Sequence, residues 1–245
     1  MPLTISVIVC AYNEERLLQA CLATLSRQSR PPDEIVVVNN ASTDGTRAIA
    51  ASTPGVKVVD EPRKGLVIAR ETGRRHARGE LLAFLDADCQ APDTWMERVE
   101  AEFGRRPRPA AVTGCYRFHD WDFTGRLLIR LYDYTLAPAT HFLAQRVLRM
   151  GAVLYGGNFT VHRDALEAIG GFDTTIEFHG EDTNVGRRLA KVGTVVLSPR
   201  CFIYTSARRY KAMGRIRVLW LYTSNFAAEI FRHRPRDITH EDIRN

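Results

Sequence analysis

Short, mostly apolar runs alternate with stretches in which apolar residues recur every three or four positions, and this alternation fills the first half of the chain. The runs are residues 5–10, 35–38, 56–59, 81–85 and 110–115; each reads as a strand, and the unbroken run 81–85 as one covered on both faces. Between them, residues 16–27 carry Leu17, Leu18, Cys21, Leu22 and Leu25 at helical spacing. Ser42-Thr43-Asp44-Gly45-Thr46 offers turn and capping chemistry for a helix through about Ala51. Two further helices are expected over 66–77 and from Pro92 to about Phe103. Four strand–helix alternations predict an α/β fold with a Rossmann-like, doubly wound, mostly parallel sheet.

The second half is less regular. Residues 123–150 read as helical, with a break expected at Pro138. Residues 159–162 read as a strand, 164–169 and 181–191 as helices, and 194–197 and 202–204 as short strand-like runs. From about 211 to 231, Met213, Ile216, Trp220, Thr223, Ala227 and Ile230 recur at spacings of three and four, which predicts a C-terminal amphipathic helix. The expected division is one unit over 1–205, changing character near 116, and a helical tail over 206–245.

Composition narrows the class. Hydrophobic residues at 45% and charged residues at 25% are ordinary for a globular protein among 245 residues, which excludes a disordered or low-complexity chain. The net charge of +6 is confined to residues 200–245, which hold ten Lys/Arg against four Asp/Glu; the remainder balances. A basic tail on a neutral body suits a local anionic partner, a membrane surface or a phosphorylated substrate, or else a solvated terminus. No nucleic-acid module accompanies it. Five scattered cysteines with no C-x-x-C pair argue for a reducing, cytoplasmic setting. No signal peptide and no stretch long enough to span a bilayer is evident.

The chemistry gathers at the run 81–85. Asp86 and Asp88 follow it directly, at the strand end where open α/β sheets bind ligands. Two carboxylates there suit a hard divalent cation held against phosphate. A second copy, Asp120-Trp121-Asp122, follows no apolar run and reads as a loop. No G-x-G-x-x-G and no G-x-x-x-x-G-K-[ST] is present, which weighs against dinucleotide dehydrogenases and P-loop enzymes. A haloacid-type phosphatase would carry its Asp pair on the first strand, not the fourth.

Several stretches, in order, resemble an inverting family 2 glycosyltransferase of the GT-A fold. They are Ser6 to Glu15, Val37 to Thr46, Lys64 to Arg70, Ala77 to Asp88, Gly156-Gly157-Asn158 with Ala168 to Asp173, and Gly180-Glu181-Asp182. The resemblance covers about 4–205 and implies a nucleotide-sugar half over 1–116 and an acceptor half over 117–205. It implies metal-dependent transfer of a sugar from a nucleoside-diphosphate sugar, by family frequency a UDP-sugar, to an acceptor hydroxyl on a sugar or a lipid-linked or cell-envelope glycan precursor. Asp182 is the implied general base, with Glu181 beside it. Ala11, Tyr12, Asn13, Glu14, Asn40, Lys64, Gly65, Arg70, Asp86, Ala87, Asp88 and Asn158 would line the donor, Arg70 facing its diphosphate. Asp88 would hold Mn²⁺ or Mg²⁺ directly, and Asp86 would reach the metal or the nucleotide ribose. Gln90 is a candidate further ligand, or simply a residue at a helix start. A cytoplasmic location, peripheral on the inner membrane face, and a homodimer complete the expectation.

The chain departs from the family pattern at Glu71 and Asn184, where Asn and Asp are common, and at Ser206 to Tyr210, which lacks the Q-x-x-R-W motif of processive synthases. A sugar-1-phosphate nucleotidyltransferase shares the general sheet but expects a Gly-rich loop after the first strand, and residues 10–16 contain no Gly. A catalytically silent docking subunit is the third reading; the joint presence of Asp86, Asp88 and Asp182 speaks against it.

Overall fold

The computed structural model describes residues 3–105, 107–176 and 180–214, with seven more between 217 and 228. β1 (Ile5–Ala11), α1 (Leu18–Ser26), β2 (Glu34–Asn40), α2 (Thr46–Ser52), β3 (Val56–Glu61), α3 (Leu66–His76), β4 (Leu81–Asp86) and α4 (Trp95–Phe103) alternate as the apolar runs predict. They are followed by β5 (Ala111–Thr113), β6 (Tyr116–Phe118), α5 (Phe123–Tyr134), α6 (Leu136–Phe142), β7 (Asn158–His162), α7 (Arg163–Ala168), α8 (Glu181–Leu189), β8 (Val195–Leu197), β9 (Ile203–Thr205) and α9 (Arg208–Met213). The main sheet has the order β3-β2-β1-β4-β7-β5-β8, and β6 pairs with β9 in a small second sheet. β7 runs antiparallel between β4 and β5; the other pairs are parallel.

Side chains alternate across the sheet because the strand period is two. Leu81, Ala83 and Leu85 of β4 enter one core cluster with Leu22, Leu25, Trp95 and Phe103. Leu82 and Phe84 enter the opposite one with Val67, Phe159, Phe172 and Leu189. Phe84 stacks on Phe159 at 4.8 Å and meets the edge of Phe172 at 5.1 Å. Burying each such ring contributes about 1.5–3 kcal/mol. β4 is thus clamped on both faces, which fixes where its terminal carboxylates emerge.

Three expectations are corrected. The strand expected over 110–115 is shorter, Ala111–Thr113, because the chain turns at Gly114 to leave the main sheet and forms β6 beyond it. It passes so close to the Cys201 carbonyl that a Cβ there would lie 1.7 Å from it. The helical segment breaks at Thr135 (φ −125°, ψ −73°), not at Pro138. Pro138 sits in the first turn of α6, where its missing N–H costs nothing. The tail is not one helix from 211: α9 ends at Met213, and of the later described residues Val218, Leu221 and Asn225 are buried while Trp220 is exposed. Of the tail expected over 206–245, residues 229–245 lie outside the described residues, as do Ile216, Thr223, Ala227 and Ile230 of its apolar stripe.

Candidate active site

The C-terminal ends of β1, β2 and β4 share one sheet edge, and the antiparallel β7 begins there: Cys10 is in register with Asp86, and Leu85 with Asn158. The loop after β1 is stitched to the loop after β2. Asn13, left-handed at φ 50°, accepts from Thr43 N at 2.9 Å and donates its own N–H to Ser42 Oγ at 3.1 Å. Glu14 N donates to Thr46 Oγ1 at 2.8 Å. Lys64 lies over the Tyr12 ring at 4.1 Å and donates to its hydroxyl at 2.8 Å. Ala11 and Ala87 are buried, so only their backbones reach the edge.

Arg70 is the hub. α3 delivers it, 2% exposed, into a nest of three acceptors: Glu181 Oε1 at 2.7 Å, the Gly156 carbonyl at 2.7 Å and Asp86 Oδ1 at 3.3 Å. Burial works against the guanidinium charge, and the Glu181 and Asp86 carboxylates overcome it, holding the pKa above the ordinary arginine range. In this structure Arg70 ties α3, β4, the Gly156 turn and α8 together. Gly157 closes the nest. A Cβ there would fall 2.2 Å from Asp86 Oδ2 and 2.9 Å from the Tyr116 hydroxyl, so only glycine lets the chain pass. Its N–H donates to that hydroxyl at 2.8 Å.

Burial, more than the neighbouring Asp88 charge, raises the Asp86 pKa, against the pull of Arg70. Asp182, at the start of α8, is also raised, first by burial and then by the Glu181 charge next to it. Its Oδ1 accepts from the Thr183 N–H at 2.7 Å, which fixes its orientation.

Asp88 faces another cation. Arg208 Nη2 contacts Asp88 Oδ2 at 2.9 Å and Glu14 Oε1 at 2.7 Å. Arg208 arrives on α9, which the second Asp-x-Asp motif anchors. Asp120 accepts from Ala207 N at 2.6 Å, Ser206 Oγ at 2.8 Å and Lys211 Nζ at 2.9 Å. Burial would raise the Asp120 carboxyl, but these donors bring it down to about 2. Trp121 packs on Tyr210 at 4.7 Å. Two basic residues expected at an anionic partner, Arg208 and Lys211, are thus engaged with the body of the protein.

The oxygen donors fit a hard cation. Asp88 and Glu14 already enclose a positive group, the guanidinium, between their carboxylates. Gln90 is held beside them by a backbone bridge to Tyr204, 2.8 Å each way. No cluster of three His, Cys, Asp or Glu stands ready for a metal among the described residues, so a bound ion would need ligand or water oxygens as well.

Two residues expected at the donor make internal contacts. Asn40 donates to the Glu61 and Arg63 carbonyls at 3.2 and 2.6 Å and accepts from Gly65 N at 2.8 Å; its amide shapes the Gly65 loop. Asn158 donates to the Cys201 and Cys115 carbonyls and accepts from Trp95 Nε1, all within the core. The departure at Glu71 has a local cause. Its carboxylate takes Arg74, Arg75 and the Phe172 N–H, tying α3 to the Gly171 turn. Tyr116, Tyr155 and Asp133 escaped sequence reasoning. Tyr155 donates to buried Asp133 at 2.9 Å and meets the edge of Tyr116 at 5.2 Å, which links α5 to the site floor.

A family model described as glycosyl transferase family 2 matches residues 6–170. The chain is 37% identical over 101 residues to glycosyltransferase AglE of Haloferax volcanii, covering 38% of this chain and 33% of that protein. It is 34% identical over 122 residues to validoxylamine A glucosyltransferase of Streptomyces hygroscopicus subsp. limoneus, covering 46% and 27%. The matches thus span about a third of those relatives' lengths. Mannosyltransferase PcManGT from Pyrobaculum calidifontis, solved with GDP-Man and Mn²⁺, superposes with a TM-score of 0.72 at 23% identity, over 95% of this chain and 64% of that one. Glucosyl-3-phosphoglycerate synthase from Mycobacterium tuberculosis, solved with Mn²⁺, UDP-glucose and phosphoglyceric acid, gives 0.62 at 19%, over 94% and 79%. The fold is GT-A.

Proposed function

The chain belongs to glycosyl transferase family 2, a family of transferases using nucleotide-sugar donors, and from that premise we propose that it is an inverting, metal-dependent enzyme acting on an acceptor hydroxyl. One observation carries the reading. Arg70 binds Asp86 and Glu181 together, so Asp182, the next residue, is fixed beside the sheet edge from which Asp86 and Asp88 emerge. The residues assigned to the leaving group and to the base are thus gathered around one guanidinium.

The acceptor oxygen attacks the anomeric carbon from the face opposite the diphosphate. Its proton passes to Asp182, the carbon–oxygen bond to the donor phosphate breaks, and the electron pair leaves on the nucleoside diphosphate. A single displacement inverts the anomeric configuration. A buried carboxylate with raised proton affinity suits this task near neutral pH. Glu181 is a positioning residue: locked to Arg70, it keeps a negative charge beside Asp182 and so raises its basicity. Asp86 and Asp88, with Gln90 as a candidate third donor, would hold Mn²⁺ or Mg²⁺, which supplies neutralisation of the charge on the diphosphate. Tyr12, Asn13, Glu14, Lys64 and the Gly65 backbone form the nucleoside side of the cleft.

A UDP-sugar is the first donor to test, with GDP-sugars as the comparison, since the solved neighbours carry both UDP-glucose and GDP-Man. The acceptor is a hydroxyl on a sugar or lipid-linked cell-envelope precursor at the cytoplasmic membrane face. Its support is the apolar exterior of α5 and α6 in the acceptor half. A thermal-shift and hydrolysis screen of nucleotide sugars with Mn²⁺ or Mg²⁺ tests the reading. The cognate donor at a hundred times its Kd adds about 2.7 kcal/mol of stability. If no donor stabilises the protein with either metal, the reading falls.

A further inference from the structure

α5 is packed inside out. Its apolar stripe, Phe123, Leu127, Leu131 and Tyr134, follows the one-face spacing of an amphipathic helix. Yet these side chains face solvent, Phe123 at 74% exposure, while the buried positions are Gly125 and the carboxylate of Asp133. α6 and the π-helical turn Leu143–Val147 repeat the pattern: His141 is buried, its ring nitrogen on the Val195 carbonyl, while Leu136, Phe142, Leu143 and Val147 are exposed. A soluble helix normally turns such a stripe inward. An exposed apolar surface of this extent marks an interaction site.

The charges around it say what it meets. Between residues 123 and 150 there are four arginines, Arg126, Arg130, Arg146 and Arg149, all exposed, and a single acid, Asp133, which is fully buried. The exposed surface is therefore apolar and wholly cationic. A second copy of the chain docking symmetrically on it would bring eight arginines together. An anionic bilayer complements both features, taking the apolar side chains at the acyl boundary and the guanidinium groups at the headgroups. From this we propose that α5, α6 and the turn after them form an interfacial binding surface for an anionic lipid bilayer.

Its position gives the surface a use. Asp133, on the inner face of α5, holds Tyr155 and Arg117, and Tyr155 packs on Tyr116, which touches Gly157 beside Asp86. The segment that meets the bilayer thus shares a wall with the cleft, and a lipid-linked acceptor would reach Asp182 without leaving the membrane. The proposal deepens the lipid-linked acceptor reading, but the surface stands on its own exposure and charge. It also moves the membrane contact away from α9, where Arg208 and Lys211 are engaged internally.

Co-sedimentation of the full chain with phosphatidylcholine vesicles, with and without about one-third phosphatidylglycerol, tests it without any assay of activity. The expected result is binding to the anionic vesicles only, weakened by salt. Combined Leu127→Gln, Leu131→Gln and Phe142→Gln is expected to weaken binding by about tenfold or more, with an unchanged melting transition because all three sites are exposed. Combined Arg126→Gln, Arg130→Gln, Arg146→Gln and Arg149→Gln is expected to lose about fivefold per residue, and decides alone if the apolar variant melts early. Three results would overturn the proposal: no binding by the wild type, variants that bind as the wild type does, or a wild-type dimer that the apolar variant turns into a monomer. Loss of vesicle binding with donor binding intact separates this proposal from the catalytic reading.

Discussion

Asp182 and Asp133 are both carboxylates pushed upward by burial, and they report different things. Asp182 keeps partial solvent exposure, so its raised proton affinity can act on a substrate if it is the base. Asp182→Asn is expected to bind nucleoside diphosphate normally and to lose turnover by about a hundred- to ten-thousandfold, the usual loss on removing a general base. In the wild type, kcat/KM should rise with pH through a limb lying above the ordinary carboxylate range. Near-normal turnover in the variant would remove Asp182 from the mechanism. Asp133 is closed off instead, and burial pushes it from 3.8 to about 6 despite hydrogen bonding from Tyr155 and the charge of Arg117. The folded state therefore binds this proton more tightly than the unfolded chain. Its stabilising contribution is complete below about pH 4 and is lost as pH rises through about 6, worth about 3 kcal/mol at 1.36 kcal/mol per unit. Denaturant titrations from acid to neutral pH should show that decline in the wild type relative to Asp133→Asn. Parallel curves for the two proteins would contradict it.

Among the elements, α9 behaves as a strap across the site. Asp120 and Trp121 anchor it, and Arg208 at its start occupies Asp88 and Glu14. Arg208 therefore competes with any metal for Asp88. Arg208→Gln is expected to bind Mn²⁺ alone about tenfold more tightly, the loss of about 1.4 kcal/mol of competition. Unchanged or weaker Mn²⁺ affinity would show that the strap does not guard the site. This element also marks where sequence reading ends. β4 and its carboxylates were legible because an unbroken apolar run ending in Asp86 is a local pattern. The Arg208–Glu14 pair joins residues 194 positions apart, and no local periodicity encodes it. The same limit applies to α5. Its spacing identified a helix, but periodicity cannot tell whether the apolar face turns inward, and only burial shows that it turns out. The internal partners of Asn40 and Asn158 were not legible, because a polar residue at a strand end serves a loop or a core carbonyl as readily as a ligand.

At the scale of the molecule, a mostly parallel sheet brings its strand ends to one edge, an antiparallel β7 returns the chain to that edge, and Glu181 in the first turn of α8 is tied through Arg70 to Asp86 there. The central claim is that Asp88 holds a divalent cation against the donor's diphosphate. Calorimetric titration of UDP and GDP into the wild type and Asp88→Ala, each with and without Mn²⁺, tests it most directly. Asp88 is polar and lies just beyond the end of β4, so the variant is expected to keep its fold and melting transition. The account predicts tight nucleotide binding by the wild type only with Mn²⁺, and no gain from Mn²⁺ in the variant. The same Mn²⁺-dependent affinity in both proteins would contradict it.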